Sequence, residues 1–376
     1  MKYFDYAATC PIVEEALEAY IKTAKNYYGN TSSLHDIGGK AKAFLEICRK
    51  EMANLIGINE TSLYFTSGGT ESNVLAIHSL LSAPLKEGKH IVASMGEHSS
   101  ILNFLVKLEE EGYSITLLPY QKDGTIDIDD FSKSIQKDTI LAIVQHANGE
   151  VGTIQPIEQI GDICNKYKIL LHTDCVQSFG KISVKEIIPY VSSLSISGHK
   201  IYGPKGIGAV YVNPSLEWRS FLPQTTHENG FRAGTVNLPA IAGFTVAASQ
   251  SMNIIQEQQA RHEELRNLFK ENLESFMIPY SIIESDNRRQ IPSIIGLMVD
   301  RLEGQWLMLE LNRLGFAIST GSACQVGKQS PSSTIIGTGV SPERAKQFVR
   351  ISFGKYTTKN DILELTHALH TIFSSY

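Results

Sequence analysis

Two stretches of the sequence carry side chains whose types and spacing suit covalent chemistry. In the first, Ser195-Ile196-Ser197-Gly198-His199-Lys200-Ile201-Tyr202-Gly203-Pro204-Lys205-Gly206, an apolar strand runs into a Ser-Gly-His turn and Lys200 follows it. A lysine held among apolar and aromatic neighbours loses affinity for its proton and can form a Schiff base with a carbonyl. Alone, such a residue is more often a solvated lysine in a glycine-rich loop. The second stretch is Ser319-Thr320-Gly321-Ser322-Ala323-Cys324-Gln325-Val326-Gly327-Lys328, small and polar around one cysteine. A structural cysteine normally sits among apolar residues. This setting predicts a mobile, accessible loop and a reactive thiol at Cys324.

Other residues bear on Lys200. Asp174 closes a strongly apolar run, 169–171, and lies 26 positions before Lys200. Pyridoxal phosphate sites pair a Schiff-base lysine with an acidic or basic group at the ring nitrogen, where a carboxylate keeps the ring an electron acceptor. A helix-capping or turn aspartate is the simpler reading of Asp174 alone. Ser67-Gly68-Gly69-Thr70-Glu71 joins a strand to a helix, and its free backbone N–H groups with the Thr70 hydroxyl suit a phosphate. Many α/β proteins have such turns, and this one is neither a Walker A sequence nor a GxGxxG fingerprint. His98 could stack on a planar ring or move a proton, or simply be a hydrogen-bonded structural histidine. Arg350 has the shape for a bidentate grip on a carboxylate, and equally for an ordinary ion pair. Cys48 and Cys164 fall at helical spacing among apolar residues; Cys10 and Cys175 lie beside possible site residues and read as structural.

The elements that must position these side chains follow from hydrophobic pattern. Apolar runs predict strands at 63–66, 90–94, 115–119, 140–145, 169–173, 194–197 and 208–212. Helical patterns alternate with them at 37–57, 71–81, 99–111, 128–136 and 157–167. Strands buried on both faces and alternating with helices predict an α/β fold with a mostly parallel sheet. In such sheets ligands sit at the carboxyl ends of the strands. Gly68 to Thr70, His98, Asn148, Asp174 and 197–200 all fall at those ends. The uncharged stretch 233–256 reads as a loop feeding a buried helix. A charged helix at 256–274 then connects to a smaller α+β domain with strands at 291–299 and 347–353 and helices at 305–314, 342–346 and 361–374. The expected division is a large domain over 13–255 and a small one over 1–12 and 256–376. The polar segment Asp5-Tyr6-Ala7-Ala8-Thr9 is expected to pack near the site.

Composition excludes several classes. The 376 residues carry 34 basic and 39 acidic side chains, a net charge of -5, with 42% hydrophobic residues. That is a globular composition with no electrostatic reason to bind nucleic acid or an anionic membrane. The N-terminus shows no apolar signal region, and 233–256 lacks the apolar density of a membrane span. Five cysteines, an odd number with no CxxC pair, argue against a disulfide framework or a structural zinc site, so no metal is expected. A reduced, cytoplasmic protein is expected.

Taken together, these segments resemble the NifS/IscS-like cysteine desulfurases, in the class V aminotransferase family of fold-type I pyridoxal phosphate enzymes. The similarity runs through nearly the whole chain. It includes Tyr3 to Thr9, Gly29-Asn30-Thr31-Ser32-Ser33-Leu34-His35, Phe65 to Asn73, Glu97-His98, Asn148-Gly149-Glu150-Val151-Gly152, His172 to Ser178, Ser197 to Gly206, Arg232-Ala233-Gly234-Thr235 and Gly321-Ser322-Ala323-Cys324. The resemblance implies that Lys200 is the Schiff-base lysine, Asp174 the partner of the ring nitrogen and Gln177 that of the ring hydroxyl. It implies His98 stacked on the ring and shuttling protons. Gly69, Thr70, Ser197 and His199 would hold the phosphate, with Thr235 reaching in from the neighbouring subunit of a homodimer. Asn148, also counted with the cofactor residues, and Arg350 would orient L-cysteine. Cys324 would attack the substrate sulfur, becoming a persulfide and releasing alanine. The thiolate is the reactive form, so nearby basic groups should matter.

Two departures from the pattern stand out. Gln224-Thr225-Thr226-His227-Glu228-Asn229-Gly230 occupies a place where relatives usually have several glycines, which could reshape the site entrance or the dimer contact. The sequence also stops soon after its last helix, where the IscS-like type has an extension that engages its iron–sulfur scaffold. The pattern through Gln325 to Gln329 resembles the Bacillus-type NifS-like branch associated with NAD biosynthesis, which implies a dedicated sulfur acceptor such as quinolinate synthase. Another class V enzyme, an aminotransferase or a cysteine lyase, is the alternative; it needs no loop thiol. A catalytically silent relative acting as a scaffold is the second, opposed by the joint presence of Lys200, Asp174, His98 and Cys324.

Overall fold

A computed structural model of the chain describes residues 1–286, 289–321 and 331–375. Cys324 and the rest of its loop, 322–330, lie outside the described residues. In chain order the elements are β1 (Lys2–Tyr3), α1 (Glu14–Asn26), α2 (Asp36–Ile56), β2 (Leu63–Thr66), α3 (Gly69–Ser82), β3 (His90–Ser94), α4 (Ser99–Glu110), β4 (Ser114–Leu118), α5 (Ile128–Ser134), β5 (Thr139–Ile143), α6 (Ile157–Tyr167) and β6 (Leu170–Asp174). They continue with β7 (Ser193–Ser197), β8 (Gly208–Val212), α7 (Leu238–Asn253), α8 (Ile255–Ser275), β9 (Tyr280–Ile283), β10 (Ile294–Val299), α9 (Gly304–Arg313), β11 (Phe316–Ala317), α10 (Ser333–Gly337), α11 (Pro342–Ala345), β12 (Phe348–Ser352) and α12 (Lys359–Ser375).

Seven strands form one sheet in the order β2-β8-β7-β6-β5-β3-β4. All its pairings are parallel except those of β8, which runs against both neighbours. The expected α/β sheet is therefore present. Alternation along the strands explains the layers: Ile91, Ala93, Leu141 and Ile143 pack with Ile77, Leu80, Ile101 and Leu105 of α3 and α4. Val92, Ala142, Leu171 and Ile196 point the other way, onto α2, α6 and α7. The edge strand β4 is the exception, since four of its five residues are exposed or half-buried. Helix ends follow local chemistry. The His35 ring caps Gly38 N–H at the start of α2, and Gly57 ends that helix at φ 86°, which suits a residue without Cβ. Among the described residues no single helix is long and apolar enough to cross a membrane.

A second core forms around the antiparallel sheet β12-β10-β9 and helices α8, α9 and α12. Strand β12 alternates: Val349 and Ile351 are fully buried in this core, worth about 1.5–3 kcal/mol each, which turns Arg350 to the opposite face. The N-terminal segment joins the same core. Strand β1 pairs with β11, Phe4 is buried among its apolar residues, and Asp5 bridges to Ser352.

Candidate active site

The carboxyl ends of β2, β3, β5, β6 and β7 open into one cavity of about 260 Å³. Its lining brings together Gly69, Thr70, His98, Asn148, Asp174, Gln177, Ser197, His199, Lys200 and Arg350, residues drawn from five strand ends and from β12. Thr235 is the exception: it is exposed and does not line this cavity.

Lys200 leaves the turn after β7 and points its amine at the N-terminal segment. Its Nζ donates to the carbonyls of Ala7 at 2.7 Å and Ala8 at 2.8 Å. Burial lowers its pKa from 10.5 to about 8, helped by the Arg350 charge. Carbonyl oxygens hold the amine without neutralising its charge, so a free base is within reach near neutrality. Half-buried and held by two carbonyls, Lys200 is not the solvated loop lysine of the two readings.

Asp174 ends β6. One carboxylate oxygen accepts the Val176 N–H at 2.8 Å and the other accepts the Asn73 side-chain amine at 2.7 Å. Neither contact is a positive charge, so the carboxylate is available to a cationic group in the cavity. Gln177 is held from two sides: its amine donates to Ala7 O at 2.9 Å and its carbonyl accepts from Lys181 Nζ at 2.7 Å. Lys181 is itself driven down to about 8 by burial and by nearby Lys200 and Arg350.

The residues expected to hold a phosphate meet where β2 turns into α3 and where β7 ends. Gly69, Thr70, Ser197 and His199 line both the cavity and an adjoining open recess at the first turn of α3. A Cβ on Gly69 would meet a Val176 methyl at 3.0 Å, so the backbone approaches closely there. Ser197 Oγ is buried with no hydrogen-bond partner among the described residues. Burial, followed by the charge of Lys200, lowers His199 to about 4, so its ring is neutral.

Arg350 closes the opposite wall. One terminal nitrogen donates to Gly149 O at 2.9 Å and the other to Asp5 Oδ1 at 2.7 Å, while buried Nε has no partner among the described residues. It is thus an anchored cation lining the cavity, not a surface ion pair. Asn148 is committed to its own loop: Oδ1 accepts the N–H groups of Glu150 and Val151, and Nδ2 donates to Thr334 Oγ1 at 3.2 Å.

Both flanks of the Cys324 segment meet one cavity residue. A Cβ on Gly321 would lie 3.2 Å from a Glu150 carboxylate oxygen, and the Ser332 hydroxyl donates to Glu150. The other four cysteines are buried, and burial raises each thiol, Cys48 to about 11 and Cys164 to about 12.

Two cavity residues lie in motifs that carried the resemblance but were given no role there. Glu97 is buried with one oxygen accepting from Ser94 and Gln145 N–H and the other without a partner among the described residues; burial raises its pKa to about 8, a neutral acid. Asn73 sits inside α3 among Val74, Leu75 and Ala76, where a poor helix former inside an apolar run was a further signal.

The aminotransferase class-V family model matches residues 2–365. The chain belongs to the class-V aminotransferase family. The NifS protein of Bacillus subtilis (strain 168) is 45% identical over 374 residues, 99% of this chain and 95% of that protein. The cysteine desulfurase IscS of Dictyoglomus turgidum is 38% identical over 360 residues, 96% of this chain and 91% of that one. A solved NifS-like protein superposes with a TM-score of 0.92 at 28% identity, covering both chains completely. SspA in complex with cysteine gives 0.81 at 31% identity, over 95% of this chain and all of that one. The class-V enzyme expected from the sequence, with its large mostly parallel sheet, is the one found.

Proposed function

We propose that this class-V protein is a pyridoxal phosphate-dependent cysteine desulfurase. It converts L-cysteine to L-alanine, takes the sulfur as a persulfide on Cys324 and passes it to an acceptor protein. The observation that carries the reading is Lys200: a half-buried amine held by two backbone carbonyls and depressed to about 8, in a cavity shared with the Asp174 carboxylate and the anchored Arg350 cation. The likeness to NifS and IscS proteins over nearly the whole chain supports it.

The residues present fit the cofactor. The orphaned Ser197 hydroxyl and the side-chain-free approach at Gly69 suit a phosphate, with Thr70 and His199 beside them. Asp174 would hold the ring nitrogen, Gln177 the ring hydroxyl, and Lys200 would carry the group covalently. His98 would lie over the ring. Bound there, pyridoxal phosphate would supply an electron sink for the amino acid. Arg350 would grip the cysteine carboxylate, and Asn148 would shape the same end of the cavity. The Cys324 thiolate attacks the substrate sulfur; an S–S bond forms, the carbon–sulfur bond breaks, and the carbon keeps the electron pair and takes a proton. Four cysteines with raised thiols support Cys324 as the nucleophile, as does the meeting of both its flanks at Glu150.

A homodimer would bring Thr235 of one subunit to the phosphate of the other. The acceptor is an iron–sulfur scaffold or a dedicated client such as quinolinate synthase. A persulfide carrier belongs in a reducing compartment, which supports the cytoplasm. The domain division proposed is 13–255 against 1–12 with 256–376. The test is the product balance from L-cysteine with a thiol reductant. Alanine and sulfide in equal amounts support desulfuration. Pyruvate with sulfide means elimination and overturns it.

A further inference from the structure

Asn73 is 1% exposed on α3, beneath the cavity, and its neighbours decide which way its amide faces. A carboxylate only accepts hydrogen bonds. The atom 2.7 Å from Asp174 Oδ2 is therefore the Nδ2 amine. Oδ1 then lies 3.1 Å from His172 Nε2, so that nitrogen carries a proton. His172 Nδ1 accepts from the Ser193 hydroxyl at 2.8 Å. Burial, which drops this histidine to about 3 and keeps it neutral, agrees with one donor and one acceptor on the ring. His172 and Ser193 thus lock the amide against a flip.

The same Nδ2 has a second acceptor, Ser100 Oγ, at 3.1 Å. Ser100 Oγ lies 2.8 Å from His98 Nδ1, and the Ser100 backbone N–H donates to that same nitrogen at 3.2 Å. A ring nitrogen that accepts a backbone N–H has no proton of its own. The Ser100 hydroxyl, receiving from Asn73, is turned to donate there as well. The proton of neutral His98 is then on Nε2.

We propose that Asn73 is a positioning residue that ties Asp174 to His98 and, through Ser100, holds His98 as the tautomer protonated on Nε2. The proposal rests on the functional reading above only for the roles of its two ends, ring nitrogen and ring face. The chain of bonds has two consequences. A proton leaving His98 leaves from Nε2, because Nδ1 cannot take one without losing the Ser100 backbone N–H and reversing its bond to Ser100 Oγ. A movement of the Asp174 carboxylate is also felt at His98 through the Asn73 amide and the Ser100 hydroxyl.

The experiment is nitrogen-15 NMR of the histidine side chains in the full chain, with His98 assigned by His98→Gln. It is run first without added cofactor and then with pyridoxal phosphate. The expected wild-type spectrum has His98 protonated on Nε2 in both. Asn73→Ala leaves the Ser100 backbone N–H alone to hold the tautomer, so the fraction protonated on Nδ1 rises, and pyridoxal phosphate binding weakens roughly tenfold, the scale of one hydrogen bond to a charged group. In a Ser100→Ala background, Asn73→Ala changes the His98 spectrum no further. Asn73→Asp is close to isosteric and serves if the alanine variant does not fold: the new carboxylate draws the Ser100 hydroxyl away and shifts the tautomer balance. A wild-type His98 protonated on Nδ1, or a His98 spectrum unmoved by folded Asn73 variants, overturns the proposal. A wild type that takes up no pyridoxal phosphate counts against the functional reading alone, because the tautomer is read without cofactor.

Discussion

The amine of Lys200 lies 2.7 Å from the carbonyl oxygen of Ala7, a residue 193 positions away in the chain. The N-terminal segment thus holds the lysine without a counter-charge. Burial takes Lys200 from 10.5 to about 8, so between those values the unfolded chain binds more protons at this site than the folded one. Its contribution to stability is most unfavourable below pH 8 and improves as pH rises toward 10.5. In protein without cofactor, Lys200→Met should therefore be more stable than wild type at pH 7. That gap should close by on the order of 3 kcal/mol toward pH 10.5. Urea titrations at several pH values measure it; a gap independent of pH refutes the depressed amine.

Lys200 is also the expected point of cofactor attachment. Borohydride reduction of the holoprotein should leave a stable adduct on Lys200, found by peptide mapping, and Lys200→Ala should leave none. An adduct on Lys181, the other lysine brought down to about 8 nearby, would move the role to that residue.

Cys324→Ser should retain the cofactor and its absorbance while losing persulfide formation. The four other cysteines are buried and should not replace it. Undiminished labelled-sulfur transfer to protein in this variant removes Cys324 from the mechanism.

Arg350 donates to Asp5 and Gly149 and keeps Nε unpartnered among the described residues. Arg350→Ala should weaken cysteine binding by ~2–5 kcal/mol, the range for truncating one partner of a desolvated charge pair. Asp5→Asn should raise KM by a smaller factor and leave kcat nearly unchanged, since it loosens the guanidinium without removing it. An Arg350→Ala variant with wild-type cysteine affinity refutes the assignment.

The unusual segment 224–230 has a structural anchor. Buried Glu228, at φ 46°, accepts from Arg49 at 2.7 and 2.9 Å and from Phe65 N–H at 2.7 Å. Glu228→Ala strands the buried guanidinium and should cost about 3–5 kcal/mol. Pairing it with Arg49→Met should recover part of that loss. Denaturation midpoints decide; equal stability of the single variant and wild type would mean the pair is solvated.

The sheet was legible because its strands are continuous apolar runs with turn residues at their ends. Predicted and observed bounds coincide at Leu63–Thr66, His90–Ser94 and Gly208–Val212. The helix α1 was not, because it is mostly polar and exposed and fully buries only two small residues, Ala16 and Thr23. Strands β1 and β11, two residues each, are too short for alternation to register. Within the site, residues at strand ends could be read singly. The links between them could not: Asp5 to Arg350, Asn73 to Asp174 and Lys181 to Gln177 are settled by packing. Nothing in the spacing of Asp5 and Arg350, 345 residues apart, announces their pairing.

The placement of residues 2–10 bears on how the protein is made. They are made well before their partners: Lys200 for Ala7 and Ala8, Phe316 and Ala317 for β1, Arg350 and Ser352 for Asp5 and Ala7. At about 5–20 residues per second on a ribosome, those partners emerge tens of seconds after the segment that needs them. A growing chain therefore carries residues 2–10 unpaired until β12 has been made. The segment that holds the Lys200 amine is fixed in place only after translation has passed Ser352, so the pKa of that amine reports on whether β12 has joined the fold.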